Sequence, residues 1–428
     1  MLKGLTKEEK SWIMYDWANS AYTMVVISTI MSLYFLDEAK LALTGLVKDP
    51  EVTANAYWGF ANSISTLILV VLSPILGTLA DYKGRKKQLF SMTLMMGVVS
   101  TVLLGLVPSG RWQILLVIFV FSTLAYSATL IFYDAFLVDV SDDENMDNVS
   151  SKGYALGYIG STIPFILAMA VVVLATMGKI PLSVTWSYRI SFFITAVWWL
   201  VFSLPILKNV HQRFGIEPGA HDIRNSFVSI WKTFKEIKKN KAIFMFLLAY
   251  FFYIDGVDTI IKMATSYGKT IGIGSITLLL ILLVTQFVAF PFALLYGRLA
   301  KKWGTKKTLF LGILTYCVIC VVAFFMSADK SVGTLTAMFW VLAMLVGTAQ
   351  GGIQALSRSY FAKLVPKDHA NQFFGFYNIF GKFAAIMGPV LFGWISLITG
   401  KANYGVASII VLFIVGALIF SRVPEVEK

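Results

Sequence analysis

Charge is what this sequence has least of. Asp, Glu, Lys and Arg make up 14% of its 428 residues, against about 25% in a soluble globular domain. An ordinary water-soluble fold is therefore excluded. Cysteine is nearly absent: the only two, Cys317 and Cys320, sit three apart inside one apolar run. No disulfide framework follows, and a zinc site would need a second ligand pair that the chain lacks. The three histidines, His211, His221 and His369, all fall in polar connecting segments. No nucleophile–base pattern and no GxxxxGK[ST] phosphate loop occurs, which argues against an enzyme, a bound cofactor or direct use of ATP. There is also no ten-residue alternation of polar and apolar positions, so a membrane barrel is excluded.

What is present is apolar surface in long stretches. Hydrophobic residues make up 57% of the chain. They gather in runs of about 20 residues, the length a helix needs to cross about 30 Å of hydrocarbon. Lipid offers the backbone no hydrogen bonds, so such runs must be helical. We read twelve spans, at residues 12–36, 54–80, 88–107, 114–137, 154–177, 186–207, 242–261, 275–299, 308–327, 335–356, 373–398 and 405–420. No small-residue cleavage site follows the first run, so it is expected to stay in the mature protein. Thr6 three residues before Glu9 predicts a capping box that starts the first helix.

The net charge of +13 is a topology signal rather than a sign of nucleic-acid binding. With both termini placed in the cytoplasm, most lysines and arginines fall on the inner connections, as the positive-inside rule requires. The longest inner connection is residues 208–241. Its later part carries Phe227, Ile230, Trp231, Phe234 and Ile237 at helical spacing, with Lys232, Lys235, Lys238 and Lys239 between them. That pattern predicts an amphipathic helix lying on the inner leaflet. One inner loop is acidic: residues 139–147, DVSDDENMD, which could attract basic groups of the linker or of the second half.

The sequence GTLADYKGRKKQLF at residues 77–90 recurs 220 positions later as GRLAKKWGTKKTLF, with Gly77/Gly297, Leu79/Leu299, Ala80/Ala300, Gly84/Gly304, Lys86/Lys306, Lys87/Lys307, Leu89/Leu309 and Phe90/Phe310 identical. Each copy links two apolar runs through a short basic turn. Two related halves follow, residues 1–207 and 242–428, joined by the linker 208–241. Parallel repeats of this kind are a mark of rocking transporters.

The turn Gly77-x-Leu-Ala-Asp81-x-x-Gly84-Arg85-Lys86-Lys87 resembles the loop between the second and third helices of the major facilitator superfamily. YDWANSAY (residues 15–22), FYIDGVDTI (252–260) and GGIQALSRSYFAKLVP (351–366) resemble one branch of it. That branch holds the autophagy-linked vacuolar amino-acid effluxers and their bacterial relatives, once called the unknown major facilitator family. The resemblance implies an all-α integral membrane fold with twelve transmembrane helices in two six-helix pseudo-symmetric halves. It also implies gating at the basic turns, through Gly77, Asp81, Gly84 and Arg85 in the first copy and Gly297 and Gly304 in the second. Asp81 would latch the halves; its counterpart is Lys301, so the latch is asymmetric.

Ionisable and amide groups inside spans are expensive and mark candidate sites. Asp16, Asn19 and Tyr22 follow one another along one face of the first helix. Asp255 lies deep in the seventh span beside Gly256, which could loosen the helix. Asp258 and Lys262 follow on the same face, one turn apart, as an expected ion pair. Gln350, Gln354 and Arg358 form a polar stripe along the tenth span. In the eleventh, Lys382 is the one lysine well inside a span; Asn378 lies one turn before it and Gly388-Pro389 permits a kink beyond. Asp255 or a substrate carboxylate is the expected partner of Lys382. This set offers a cation, a carboxylate and amides, which suits a zwitterion and would equally serve a small organic anion or a peptide.

The reading is a secondary transporter of the cell (inner) membrane. It would move a small polar solute, an amino acid or related metabolite, by alternating access, with protons as candidate coupling ions and efflux as the direction the family implies. A monomer is expected. Export of amphipathic drugs or lipids, and a non-transporting sensor or scaffold, are the alternatives.

Overall fold

The computed structural model describes residues 2–217, 234–235, 237–326 and 331–424. Among them, twelve helices are long and apolar enough to cross a membrane. In chain order they are α1 Lys7–Leu43, α2 Pro50–Asp81, α3 Arg85–Leu104, α4 Trp112–Val140, α5 Met146–Thr176 and α6 Val184–Asn209. These are followed by α7 Lys241–Thr270, α8 Ser275–Trp303, α9 Thr305–Phe324, α10 Val332–Leu364, α11 Ala370–Thr399 and α12 Ala402–Ser421. Each expected span lies within one of these helices except at its ends, where the helices commonly run on beyond the apolar stretch.

The helix ends are set by short-range chemistry. Thr6 Oγ1 accepts the Glu9 amide at 3.1 Å and Glu9 returns the bond to the Thr6 amide at 2.8 Å, the capping box expected from sequence. Asp49, Ser183, Asn240 and Ser331 cap α2, α6, α7 and α10 in the same way. The two basic turns each reverse through a glycine of positive φ, Gly84 at +78° and Gly304 at +91°. Inside α1, Thr23–Ile30 is wound as a π-helix. Thr29 Oγ1 donates to the Met24 carbonyl five residues back at 2.7 Å, which fits the wider turn.

The chain divides into two compact units, Met1–Val140 with Leu156–Ser226, and Ser141–Ala155 with Phe227–Lys428. In the first, α1 packs on α6, and α4 packs on both α2 and α3. In the second, α7 packs on α12, and α10 packs on both α8 and α9. The pairings thus repeat with the sequence. The second unit also takes in residues 141–155, the acidic loop's end and the first turns of α5.

Cores are aromatic. Tyr22 stacks on Tyr126 at 4.6 Å and Trp12 on Tyr133 at 4.5 Å in the first unit; Tyr250 stacks on Tyr377 at 4.2 Å in the second. Outward positions carry exposed apolar residues, Val71 and Leu397 among them. This is the surface a lipid solvent selects. Residues 218–233 and 236, which hold most of the expected amphipathic linker helix, lie outside the described residues. At its far end Ile237 is buried and the Phe234 ring lies 6.4 Å from that of Phe376.

Candidate functional site

In the second unit, the site is built where α7 meets α11. Asp255 is fourteen residues into α7, which at 1.5 Å per residue puts it about 21 Å along the helix. Its side chain is completely buried. Both carboxylate oxygens accept the Gly388 amide, at 3.0 and 2.9 Å, and Thr259 Oγ1 donates to Oδ1 at 3.3 Å. Gly388 precedes Pro389, whose missing N–H weakens the helix ladder at this point. A β-carbon on Gly388 would fall 1.9 Å from Thr259 Oγ1. The glycine is therefore what lets α11 approach close enough for Asp255 to hold its backbone.

Two expectations change here. Asp255 is engaged by the α11 backbone rather than by Lys382. Gly256 does not open α7: the helix runs through it without a break, and the absent side chain makes room for the Phe413 ring, 2.5 Å from where a β-carbon would stand.

Lys382 lies half-buried on α11. Asp258 and Lys262 of α7 are the charges that act on it, and those two form the expected one-turn pair, a long one at 4.0 Å. Among the described residues no carboxylate stands within ion-pair distance of Lys382. Asn378, one turn before Lys382, donates to the Phe374 carbonyl of its own helix at 3.0 Å. Gln350 on α10 is buried, and its amide nitrogen has no hydrogen-bond partner among the described residues. Gln354 is half-buried one turn on. Arg358, completing the stripe, is buried and donates to the Ser150 hydroxyl at 3.0 Å and carbonyl at 3.2 Å, with its guanidinium 4.5 Å from the Tyr154 ring.

In the first unit, Asp16, Asn19 and Tyr22 are all buried on α1. Tyr22 donates to Ser122 of α4 at 2.8 Å, an interhelix contact. Asn19 keeps an amide nitrogen with no partner among the described residues. These residues directly precede the π-helical stretch, a feature often found at functional positions and one that no residue pattern announced.

The basic turns are more enclosed than their composition suggests. Asp81 ends α2 with its side chain buried, and its carbonyl accepts the Ile216 amide at 2.9 Å. Lys86, read from sequence as part of a short basic turn, is fully buried and pairs with Asp139 at 2.5 Å. Asp139 also accepts the backbone amides of Arg213 and Phe214, at 2.8 and 3.0 Å. The opening of the linker is thereby tied to the turn, with a parallel bridge between Tyr82 and Ile216. Arg85 and Gly84 remain exposed, whereas Gly77 is buried in α2. Gly297 sits against Ser151, with room for no β-carbon. Asp139 and Asp147 were visible only as members of an acidic loop; their contacts, 53 and 216 residues away in sequence, carry no local signal.

Comparison with known proteins agrees with this architecture. The family model described as vacuole effluxer Atg22 like matches residues 5–144 and 138–428. The MFS-type transporter YxiO of Bacillus subtilis (strain 168) is 52% identical over 425 residues, covering 99% of this chain and 96% of that protein. Autophagy-related protein 22 of Cryptococcus neoformans is 26% identical over 296 residues; the match spans 64% of this chain and about half, 52%, of that longer protein. Among solved structures, the proton:xylose symporter XylE superposes with a TM-score of 0.73 at 12% identity, covering 98% of this chain and 96% of XylE. The fucose:proton symporter FucP of E. coli gives 0.70 at 12% identity, over 98% of both chains. At such identities these two speak for the fold alone. The chain therefore belongs to the Atg22-like family of major facilitator transporters, multi-pass membrane proteins that move small molecules by alternating access and are not enzymes.

Proposed function

We propose that this transporter moves a small zwitterion, an amino acid or a close relative, and that protonation of Asp255 couples the movement to the proton gradient. The observation that carries the reading is Lys382. A lone lysine at the bilayer centre costs about 2.5–3.5 kcal/mol on insertion scales, yet no carboxylate of the described residues neutralises it. A substrate carboxylate is the natural complement. Within the same unit, Asp258 and the unpartnered amide of Gln350 are available for the ammonium and for orientation.

Asp255 suits coupling because its charge decides whether it accepts the Gly388 amide strongly. A neutral carboxyl would hold that amide more weakly and let α11 bend differently at Pro389. Efflux is supported by the name of the matching family. Placement in the cell membrane with both termini cytoplasmic is supported by the charge bias, and a monomer is the simplest working unit. Asp81, Gly84, Arg85, Gly297, Gly304 and Arg358 are proposed as gating positions.

Lys382→Gln in proteoliposomes tests the reading. It should weaken transport of carboxylate substrates at least tenfold while leaving their amide analogues unaffected. Equal loss for both would make Lys382 a packing residue and remove the support for a zwitterion. A second reading, export of amphipathic compounds, is favoured by an apolar cavity of about 350 Å³ lined by Phe251, Ile379, Phe380, Phe383, Ile386 and Met387. It predicts transport of lipophilic cations or neutral dyes that survives Lys382→Gln.

A further inference from the structure

Beside the first basic turn lies a cavity of about 470 Å³, away from the residues assigned to transport. Gly84, Lys87, Gln88 and Ser91 line it from the start of α3, and His211 and Gln212 from the opening of the linker, all within the first unit. Hydrogen bonds hold its two walls together. Gln212 donates to the Ala80 and Phe214 carbonyls at 3.2 and 3.0 Å and accepts the Lys86 amide at 3.3 Å. The charges around the cavity do not balance. Lys83 pairs with Glu217, and Lys86 with Asp139. Glu8 comes within 3.9 Å of His211 but is also engaged by Arg213 at 3.3 Å. Among the described residues no acid stands within ion-pair distance of Lys87, half-buried in the wall, or of Arg85, exposed on the same turn. A cation with an amide and a hydroxyl beside it, and no acid in the lining, is a seat for an anion such as a phosphate.

Farther along α3 the same face turns apolar. Met92, Met95, Met96 and Val99 follow Gln88 at i+4, i+7, i+8 and i+11, and all four are exposed. From Gln88 to Val99 the helix rises about 16 Å, close to the ~15 Å of hydrocarbon in one leaflet. A polar seat at the head of an apolar stripe of that length matches a molecule with a charged head and a long tail. The second copy of the turn keeps the lysine, as Lys307, but not the rest of the seat. The counterpart of Gln88 is Thr308, fully buried, and that of Ser91 is Leu311.

We propose that this cavity binds the head of one anionic phospholipid from the leaflet that meets the basic turns. Lys87 supplies the charge for the phosphate, and Gln88, Ser91 and His211 supply further donors. One acyl chain runs along the stripe from Met92 to Val99. Anionic headgroups gather where a membrane meets lysines and arginines, and Arg85 adds to that attraction from the same turn. The cavity exists only when the linker start is folded onto the turn, so a lipid bound there stabilises that joint by mass action.

The test titrates purified, detergent-solubilised protein with dioleoyl phosphatidylglycerol and, separately, dioleoyl phosphatidylcholine, and counts retained lipid by native mass spectrometry. The two probes share their acyl chains and phosphate and differ in net charge. The parent should retain one phosphatidylglycerol at least fivefold more tightly than phosphatidylcholine. Lys87→Gln should reduce that preference about fivefold, the contribution of one lysine near anionic headgroups. Ser91→Asp, which puts an acid into the cavity, should abolish it and covers the case where Lys87→Gln does not fold. Lys307→Gln, at the repeated position without the seat, should keep it. No preference in the parent, a preference that survives both Lys87→Gln and Ser91→Asp, or an equal loss in Lys307→Gln would overturn the site. Displacement of phosphatidylglycerol by equimolar sn-glycerol 3-phosphate would overturn the lipid as its occupant, since a soluble phosphate would then suffice.

Discussion

Lys86→Met should destabilise the first unit far more than any other lysine substitution in the basic turns. The pair it breaks is fully buried on both sides, with Nζ and Oδ2 2.5 Å apart. Removing one partner of a buried pair leaves an uncompensated charge and costs about 3–5 kcal/mol. For a unit of about 200 residues, each kcal/mol lowers Tm by about 2–4 °C, so the expected fall is about 6–20 °C. Asp139→Leu should be worse. It strands the ammonium and also the backbone amides of Arg213 and Phe214, which have the Asp139 carboxylate as acceptor. Each orphaned amide adds about 1–3 kcal/mol. The double variant Lys86→Met/Asp139→Leu removes the stranded charge but not the orphaned amides, so it should recover part of the loss relative to Asp139→Leu alone. Tryptophan-fluorescence melting of detergent-solubilised protein measures all three. A Tm for Lys86→Met within about 2 °C of the parent would refute the reasoning. So would a double variant no better than Asp139→Leu.

Other consequences follow from single contacts. Gly388→Ala puts a β-carbon 1.9 Å from Thr259 Oγ1 and 3.0 Å from Asp255 Oδ1; overpacking of this kind costs about 1–3 kcal/mol, and Thr259→Gly in the same chain should restore most of the melting temperature. Gly304→Ala should cost more than Gly84→Ala, both by melting. Gly304 has φ +91° and ψ 149°, a region open to glycine alone, whereas Gly84 at φ +78° and ψ −12° is near the left-handed basin that other residues tolerate. Asp81→Asn should slow the transport cycle while leaving equilibrium substrate binding within twofold, as read by exchange rate against ligand affinity.

The helices were legible because lipid imposes a length and a composition on them, and twelve apolar runs left little choice. Their starts were legible where a cap is local: Thr6 and Glu9 form their box as spaced. Gly84 and Gly304 were legible as turn residues because only glycine relieves a positive φ. Long-range partners were not. Lys86 reads as one more inner lysine until Asp139, on a different helix, is placed beside it. Asp255 could be picked out by depth, and Gly388-Pro389 as a weak point in α11, but nothing in the spacing joined the two. Gly256 misled for a related reason: a glycine in a span can mean a loosened ladder or a close neighbour, and only the Phe413 ring decides. The π-helical turn at Thr23–Ile30 gave no sign, since TMVVISTI is as apolar and β-branched as any other span.

The claim that Asp255 couples transport of a zwitterion to protons is tested most directly by flux into proteoliposomes of a panel of labelled amino acids, with and without an imposed pH gradient. The parent protein should accumulate at least one of them against its gradient only when the pH gradient is present. Asp255→Asn, which mimics the protonated carboxyl, should lose that accumulation and retain exchange of the same substrate at equal concentrations. Accumulation by Asp255→Asn at the parent's level, or none of the panel transported by the parent, would contradict it.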